Sequence, residues 1–407
     1  MALLRDRVYG PFFLGNLVSN CGNWIHNVAA AVVVFELTHS AVAVGAVSAC
    51  LWAGSLLLQP WAGALTDRYD RRRMLIGGQA LALLGALAIA VPTAIVGVDG
   101  LPGPWPIYLG TLVIGVGVAF SLPAMQALIP ALVEKRDLDR AIALNGVTFN
   151  LARAIGPAIA GVLLLQADAA LAFSINAASF AVLLAAMTWV RPRFDRTPHR
   201  GDRSVRAGLR WVLADRRAGV LLATMVAIGF ATDPVNTLTP PMADEVGGGD
   251  GLVGLMVSAF GAGAVAAAFF VERIRGRLGR ERTGTAGMGA LAAAVAAFAL
   301  SQVPAHAIGT LAIAGAGFIV AITSVTAQLQ DRVPDQVRGR VMALWGVAFL
   351  GTRPFSAAID GGIAELASPR AAAVAMAAAA FAAAVLHDRG AAHPAARRPA
   401  ELAGTEY

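Results

Sequence analysis

Charged side chains are scarce in this 407-residue sequence, at 14% of the total. A soluble domain carries about 25%. Cysteine is scarcer still, with only Cys21 and Cys50, both inside apolar segments. That excludes a disulfide framework and leaves the two thiols as small packing groups. Lysine is limited to Lys135, so nearly all the basic charge is arginine. There is no G-x-S-x-G, no H-E-x-x-H and no Cys/His ligand spacing, so no enzyme, metal site or cofactor is expected. No aromatic-rich basic module occurs, so nucleic acid is not an expected partner.

What is present is apolar surface. Hydrophobic residues make up 57% of the chain and mean hydropathy is +0.66. This composition points to an all-α polytopic membrane protein. A bilayer crossing needs about 20 mostly apolar residues. Twelve segments qualify, near 10–36, 41–65, 74–96, 106–130, 141–165, 168–190, 218–242, 251–272, 284–303, 306–328, 341–366 and 370–387. The first run lacks an A-x-A site and is expected to be a retained span.

Charge sets the orientation. The N-terminal end and every even-to-odd connection collect the bases: Arg5 and Arg7; Arg68 and Arg71 to Arg73; Lys135, Arg136 and Arg140; Arg273 to Arg282; Arg332, Arg338 and Arg340. The other side holds Arg370 beside Asp99, Asp168, Asp244, Glu245 and Asp250. The positive-inside rule places both termini in the cytoplasm. The net charge of +7 then serves topology and lipid contact.

The long connection, Arg191 to Ala218, holds nine arginines against three acids. Its second half puts Val205, Leu209, Val212 and Leu213 on one helical face, which predicts an amphipathic helix on the inner membrane surface. The expected organisation is a six-helix bundle over 1–190, an arginine-rich linker over 191–217, a second six-helix bundle over 218–387 and a disordered tail over 388–407.

The two halves are related. Residues 140–161 and 340–361 align without gaps, with 10 identities in 22 positions. Composition alone gives about two. Arg153 recurs as Arg353, and Phe149 as Phe349. Six spans followed by six similar spans form a parallel repeat, whose halves are related by an axis along the membrane normal. The repeated arginine is costly in a bilayer, by at least about 2.5–3.5 kcal/mol, so it must face protein or water. It serves either a ligand or helix–helix hydrogen bonding.

Other polar groups stand in the spans. Asp233 precedes Pro234 in span 7, with Asn236 and Thr237 beyond it. Arg353 and Asp360 share a face of span 11. Asp233, Asp360, Arg153 and Arg353 are the candidates for proton coupling, although Asp233 also fits a solvated position near the outer interface. Asn16, Asn20, Asn23 and Asn27 form one stripe along span 1, beside Trp24 and His26. The stripe suits a polar cavity or interhelical hydrogen bonds, and His26 reads as a packing residue.

The loop after span 2, GALTDRYDRRR, resembles the signature of the major facilitator superfamily, with Gly63, Leu65, Asp67, Arg68, Arg71 and Arg72 matched and Asp70 in a glycine position. GRLGRER after span 8 is a degraded copy. Gly156, Pro157 and Gly161 resemble that family's exporter motif. LVEKRDLDRAIALNG and VPDQVRGRVMAL resemble its drug and siderophore exporter branch, of the enterobactin-exporter and macrolide-efflux type. The resemblance implies two pseudo-symmetric six-helix bundles in a bacterial plasma membrane. It implies a cytoplasmic gate at Gly63, Asp67, Arg68 and Arg71, with Asp67 latching onto span 11 near Arg338 or Arg340. Arg72 and Arg73 read as solvated topogenic charges. It also implies a cavity between spans 1, 4, 7 and 10, bringing Gln126, Asn236, Thr323 and Thr326 to the asparagine stripe.

The expected activity is proton-coupled export of a small organic molecule by alternating access. Membrane lipid and protons would be the other partners, and the chain is expected to be monomeric. An importer of the same fold, or a non-transporting membrane sensor, are the alternatives. The duplicated buried charges count against the sensor.

Overall fold

The computed structural model describes residues 3–166, 168–193 and 205–391, which are helical with no strand among them. Spans 1 to 6 are Tyr9–Thr38, Ala41–Arg68, Arg71–Val96, Trp105–Leu132, Leu138–Gln166 and Ala169–Trp189. After the linker helix Val205–Ala214, span 7 comes in three pieces, Arg216–Thr232, Pro234–Thr237 and Thr239–Glu245. Spans 8 to 10 are Asp250–Ala268, Arg280–Ala299 and Pro304–Arg332. Span 11 comes in two pieces, Asp335–Leu350 and Arg353–Leu366, and span 12 is Pro369–Ala391.

Ten of these twelve crossings are long and apolar enough to be membrane spans by composition alone. The asparagine stripe dilutes span 1, and the arginines at its start dilute span 9. Asn16 is buried against span 5, whereas Arg280 and Arg282 are exposed at the start of span 9.

Side chains mark the helix starts. Ser40 accepts from the Ala43 N–H, Asp70 from Arg73, Asp168 from Ala170, and Asp215 from Arg217 and Ala218. Each satisfies backbone donors that have no intrahelical partner. Asp70, out of pattern in the signature loop, is thus the N-cap of span 3.

Spans 7 and 11 were expected to be continuous, but both break at an X-Pro step. Pro234 cannot bond to the Phe230 carbonyl, and the Asp233 N–H takes it instead at 3.2 Å. Pro354 follows Arg353, and the Phe355 N–H bonds to Thr352 at 3.0 Å. Span 5 has Ala154 at the equivalent place and runs unbroken.

Within each half, small residues let the helices approach. Gly78 meets Gly117 and Ser121, and Gly287 meets Gly317 and Ala321. Between the halves there are two seams. Span 5 packs on span 8 through Gly161, Gly251, Gly254 and Gly261. Span 2 packs on span 11 through Gly45, Ala357 and Gly361. Ser40 Oγ donates to Glu365 Oε2 at 2.9 Å at the rim of the second seam.

The two described ends of the chain share one end of the molecule. Arg193 pairs with Asp6 at 2.8 Å, and Arg217 donates to the His387 carbonyl at 2.8 Å. The linker helix rests on protein through Gly208, which abuts Arg340, and through buried Val212. Leu209 and Leu213 are exposed beyond that contact. The expected single apolar face is therefore divided between protein and the outside. Span 12 continues through 388–391, residues that the sequence reading gave to the tail; 392–407 lie outside the described residues.

Candidate functional site

Arg153 lies in the seam between the halves and is 2% exposed. Its guanidinium stands 5.2 Å from the Trp24 ring, 4.5 Å from Phe260 and 4.8 Å from Phe318. Those rings come from spans 1, 8 and 10. Each cation–π contact contributes about 0.5–2 kcal/mol, which offsets part of the cost of burial. Nη2 is buried with no hydrogen-bond partner.

Arg353 repeats this arrangement in the second half. It is 5% exposed, with its guanidinium 4.9 Å from Trp52 and 5.5 Å from Phe349. It begins the second piece of span 11, where the break lets the side chain turn toward span 2. Unlike Arg153, it has a counter-charge: Asp233 is the opposite charge acting on it.

Asp233 is 1% exposed at the first break of span 7, so a solvated position at the outer interface is ruled out. Thr237 donates to its Oδ2 at 2.7 Å. Asp360 and Ser356 of span 11 stand nearby, but Asp233 Oδ1 and both carboxyl oxygens of Asp360 have no hydrogen-bond partner among the described residues. Asp360 is fully buried, and its carboxyl faces Asp233 with no other partner. The two helix breaks thus bring Asp233 of span 7 to Arg353 and Asp360 of span 11, which lie far from it in sequence.

A narrow, partly open cavity of about 20 Å³ borders this group, with room for one water. Asn27, Trp24, Trp52, Asn236 and Arg353 line it. Two expected cavity residues, Asn27 and Asn236, are therefore in place. Asn16 is not: it turns to span 5 and donates to Asn145 at 2.8 Å and Thr148 at 3.3 Å. Asn20 donates back to Asn16, and Asn23 to the Ser19 carbonyl, so Asn16 ties span 1 to span 5 while Asn20 and Asn23 bond within their own helix. Thr323 bonds to its own helix, and Thr326 accepts from Trp345 at 3.1 Å. Gln126 is exposed. His26 packs on Phe173 and shares a 3.0 Å hydrogen bond with Thr111, as expected of a packing residue.

At the expected gate, the Asp67, Arg68 and Arg338 side chains lie outside those described. Gly63 has open space where a side chain would be. Arg71 donates to the Ala127 carbonyl at 3.1 Å. Arg72, expected to be solvated, donates to the carbonyls of Met187, Val190 and Thr188 at 2.9, 2.9 and 3.0 Å. It closes the C-terminus of span 6, a role that the planar fork of arginine suits. In the exporter motif, Gly156 lies against Trp24 and Cys21, and Gly161 against Gly251 and Gly254 of the other half.

Sequence reasoning missed the aromatic boxes. One signal was available. Phe149 and Phe349 both stand four residues before the repeated arginine, on the same helical face. Phe349 covers Arg353, and Phe149 packs edge-on against Trp24, 6.1 Å between ring centres. The partners from other spans carry no local signal.

Comparison with known proteins agrees with this architecture. The chain is 26% identical over 382 residues to the enterobactin exporter EntS of Escherichia coli O1:K1, covering 91% of this chain and 88% of that one. It is 34% identical over 175 residues to the staphyloferrin A transporter of Staphylococcus aureus, a match that spans 42% of this chain and 43% of the relative. The crystal structure of a bacterial homologue of the iron transporter ferroportin in an inward-facing state superposes with a TM-score of 0.75 at 16% identity, over 94% of this chain and 98% of that one. Residues 1–397 match the transmembrane secretion effector family, and the chain belongs to it as a multi-pass membrane transporter of the major facilitator superfamily.

Proposed function

We propose that the protein exports a small organic molecule, of the siderophore or drug-like secondary-metabolite class, in exchange for protons. The carrying observation is the buried meeting of Asp233, Asp360 and Arg353 at the breaks of spans 7 and 11, beside a cavity between the halves. Proton coupling requires acids whose charge depends on the state of the carrier. A carboxyl pair that is dry in one state and wet in another meets that requirement.

The distribution of contacts supports alternating access. Among the described residues, close approaches between the halves lie at the end opposite the termini, at Ser40, Glu365, Leu165 and Gly251, and in the middle, at Arg153, Gly261, Leu56 and Gly351. With both termini cytoplasmic, as the arginine-rich loops favour, the first of these places faces outward and the carrier sits in a bacterial inner membrane. The units 1–190 and 218–387 rock about the two glycine seams, and the loop from Gly63 to Arg71 closes the cytoplasmic side. Names of the relatives support export over import.

Proton-driven uptake of a transported compound into inverted vesicles tests the reading. Asp233→Asn and Asp360→Asn should each reduce it at least roughly tenfold, the scale set by losing an essential proton carrier. Uptake at wild-type rate in both variants would refute the coupling role.

A further inference from the structure

The two repeated arginines are not equivalent in charge. Arg353 faces Asp233, whereas the charged group acting on Arg153 is Arg353, a second cation. Arg153 Nη2 is buried with no hydrogen-bond partner, and the faces of Trp24, Phe260 and Phe318 lie against the guanidinium. Trp24 joins the two sites: one face lies under Arg153, and the residue also lines the cavity that Arg353 borders. The seam between the halves therefore holds two guanidinium groups, one from each half, Arg153 where spans 5 and 8 meet and Arg353 where spans 2 and 11 meet, and the acids lie on the Arg353 side.

We propose that this seam is the recognition site for the acidic group of an organic anion, held by Arg153 and Arg353 together, with Trp24 and Trp52 flanking its planar body. A guanidinium binds a carboxylate through two parallel hydrogen bonds, and it does so best away from water. Aromatic side chains add stacking area at little entropic cost. Arg153 Nη2 and Arg353 Nε are buried without hydrogen-bond partners, and the two arginines come one from each half. An anion bridging them binds most tightly when both halves approach it. The proposal rests on the transporter reading, because the space for the ring comes from the separation of the halves. It does not rest on proton coupling.

Radiolabelled salicylate, a planar aromatic acid, probes the site in the purified full-length protein by equilibrium binding. Salicylamide, nearly the same shape without the charge, is the competitor. Saturable salicylate binding that salicylamide does not displace is expected. Arg153→Gln should weaken it at least roughly tenfold, the scale of one lost charge-assisted hydrogen bond. Arg153→Lys, which keeps the charge without the fork, should fall between. Asp233→Asn should bind as well or better, since it removes a competing negative charge, whatever it does to transport. That separates failure of this site from failure of proton coupling. Absent saturable binding, equal displacement by salicylamide, full displacement by chloride at matched ionic strength, or unchanged binding in Arg153→Gln would each overturn the proposal.

Discussion

At Asp6 a single carboxylate fastens the start of span 1 to the linker. Its Oδ1 accepts the N–H groups of Val8 and Tyr9, both at 2.8 Å, and its Oδ2 takes Arg193. Burial pushes the carboxyl up, but the bonds from Tyr9, Val8 and Arg193 outweigh this and hold it below its ordinary value. The folded state is then the stronger acid. The contribution of Asp6 is fully present above about pH 3.9 and is lost as pH falls through its lowered folded value. Asp6→Ala should lower thermal stability at neutral pH by about 1 kcal/mol, the scale of a lost helix cap. The difference from wild type should shrink on acidification; a constant difference across that range would contradict the assignment. The acids and arginines of the site were legible residue by residue, because charge in an apolar run is conspicuous. Their partners were not. Nothing near Arg153 in sequence points to Phe260 or Phe318, which reach it only through packing of spans 8 and 10. Arg72 shows the opposite failure: a loop charge looked solvated because the carbonyls it closes are contributed by span 6.

The elements that matter most are the seams and the breaks. Gly254 sits so close to span 5 that a Cβ there would stand 2.6 Å from the Pro157 carbonyl oxygen. Gly254→Val should therefore pry the halves apart at the end opposite the termini. Gly289→Ala, where a methyl group meets open space, is the control. Cross-linking between Ser40→Cys and Glu365→Cys should fall in the first background and not in the second. Both breaks carried a local signal, the X-Pro steps Asp233-Pro234 and Arg353-Pro354, but each segment was read as one continuous span because its apolar run is long enough to cross a membrane. Apolar length alone also undercounted span 1, whose asparagines are satisfied by span 5 and by its own backbone rather than by water.

For the whole molecule, the repeat fixed the architecture and the seams assign its motion. Closing Ser40→Cys to Glu365→Cys with a short reducible thiol reagent, in a background lacking the free Cys21 and Cys50, should stop transport, and reductant should restore it. Continued transport by the cross-linked protein would exclude opening at that end. The duplication was only partly preserved. Ala154 stands in an unbroken span 5 where Pro354 follows the break of span 11. For a carrier that works as proposed, the articulated spans should move more than the rigid rod, so spectroscopic reporters on 233–245 and 351–366 should register larger excursions than matched reporters on 138–166.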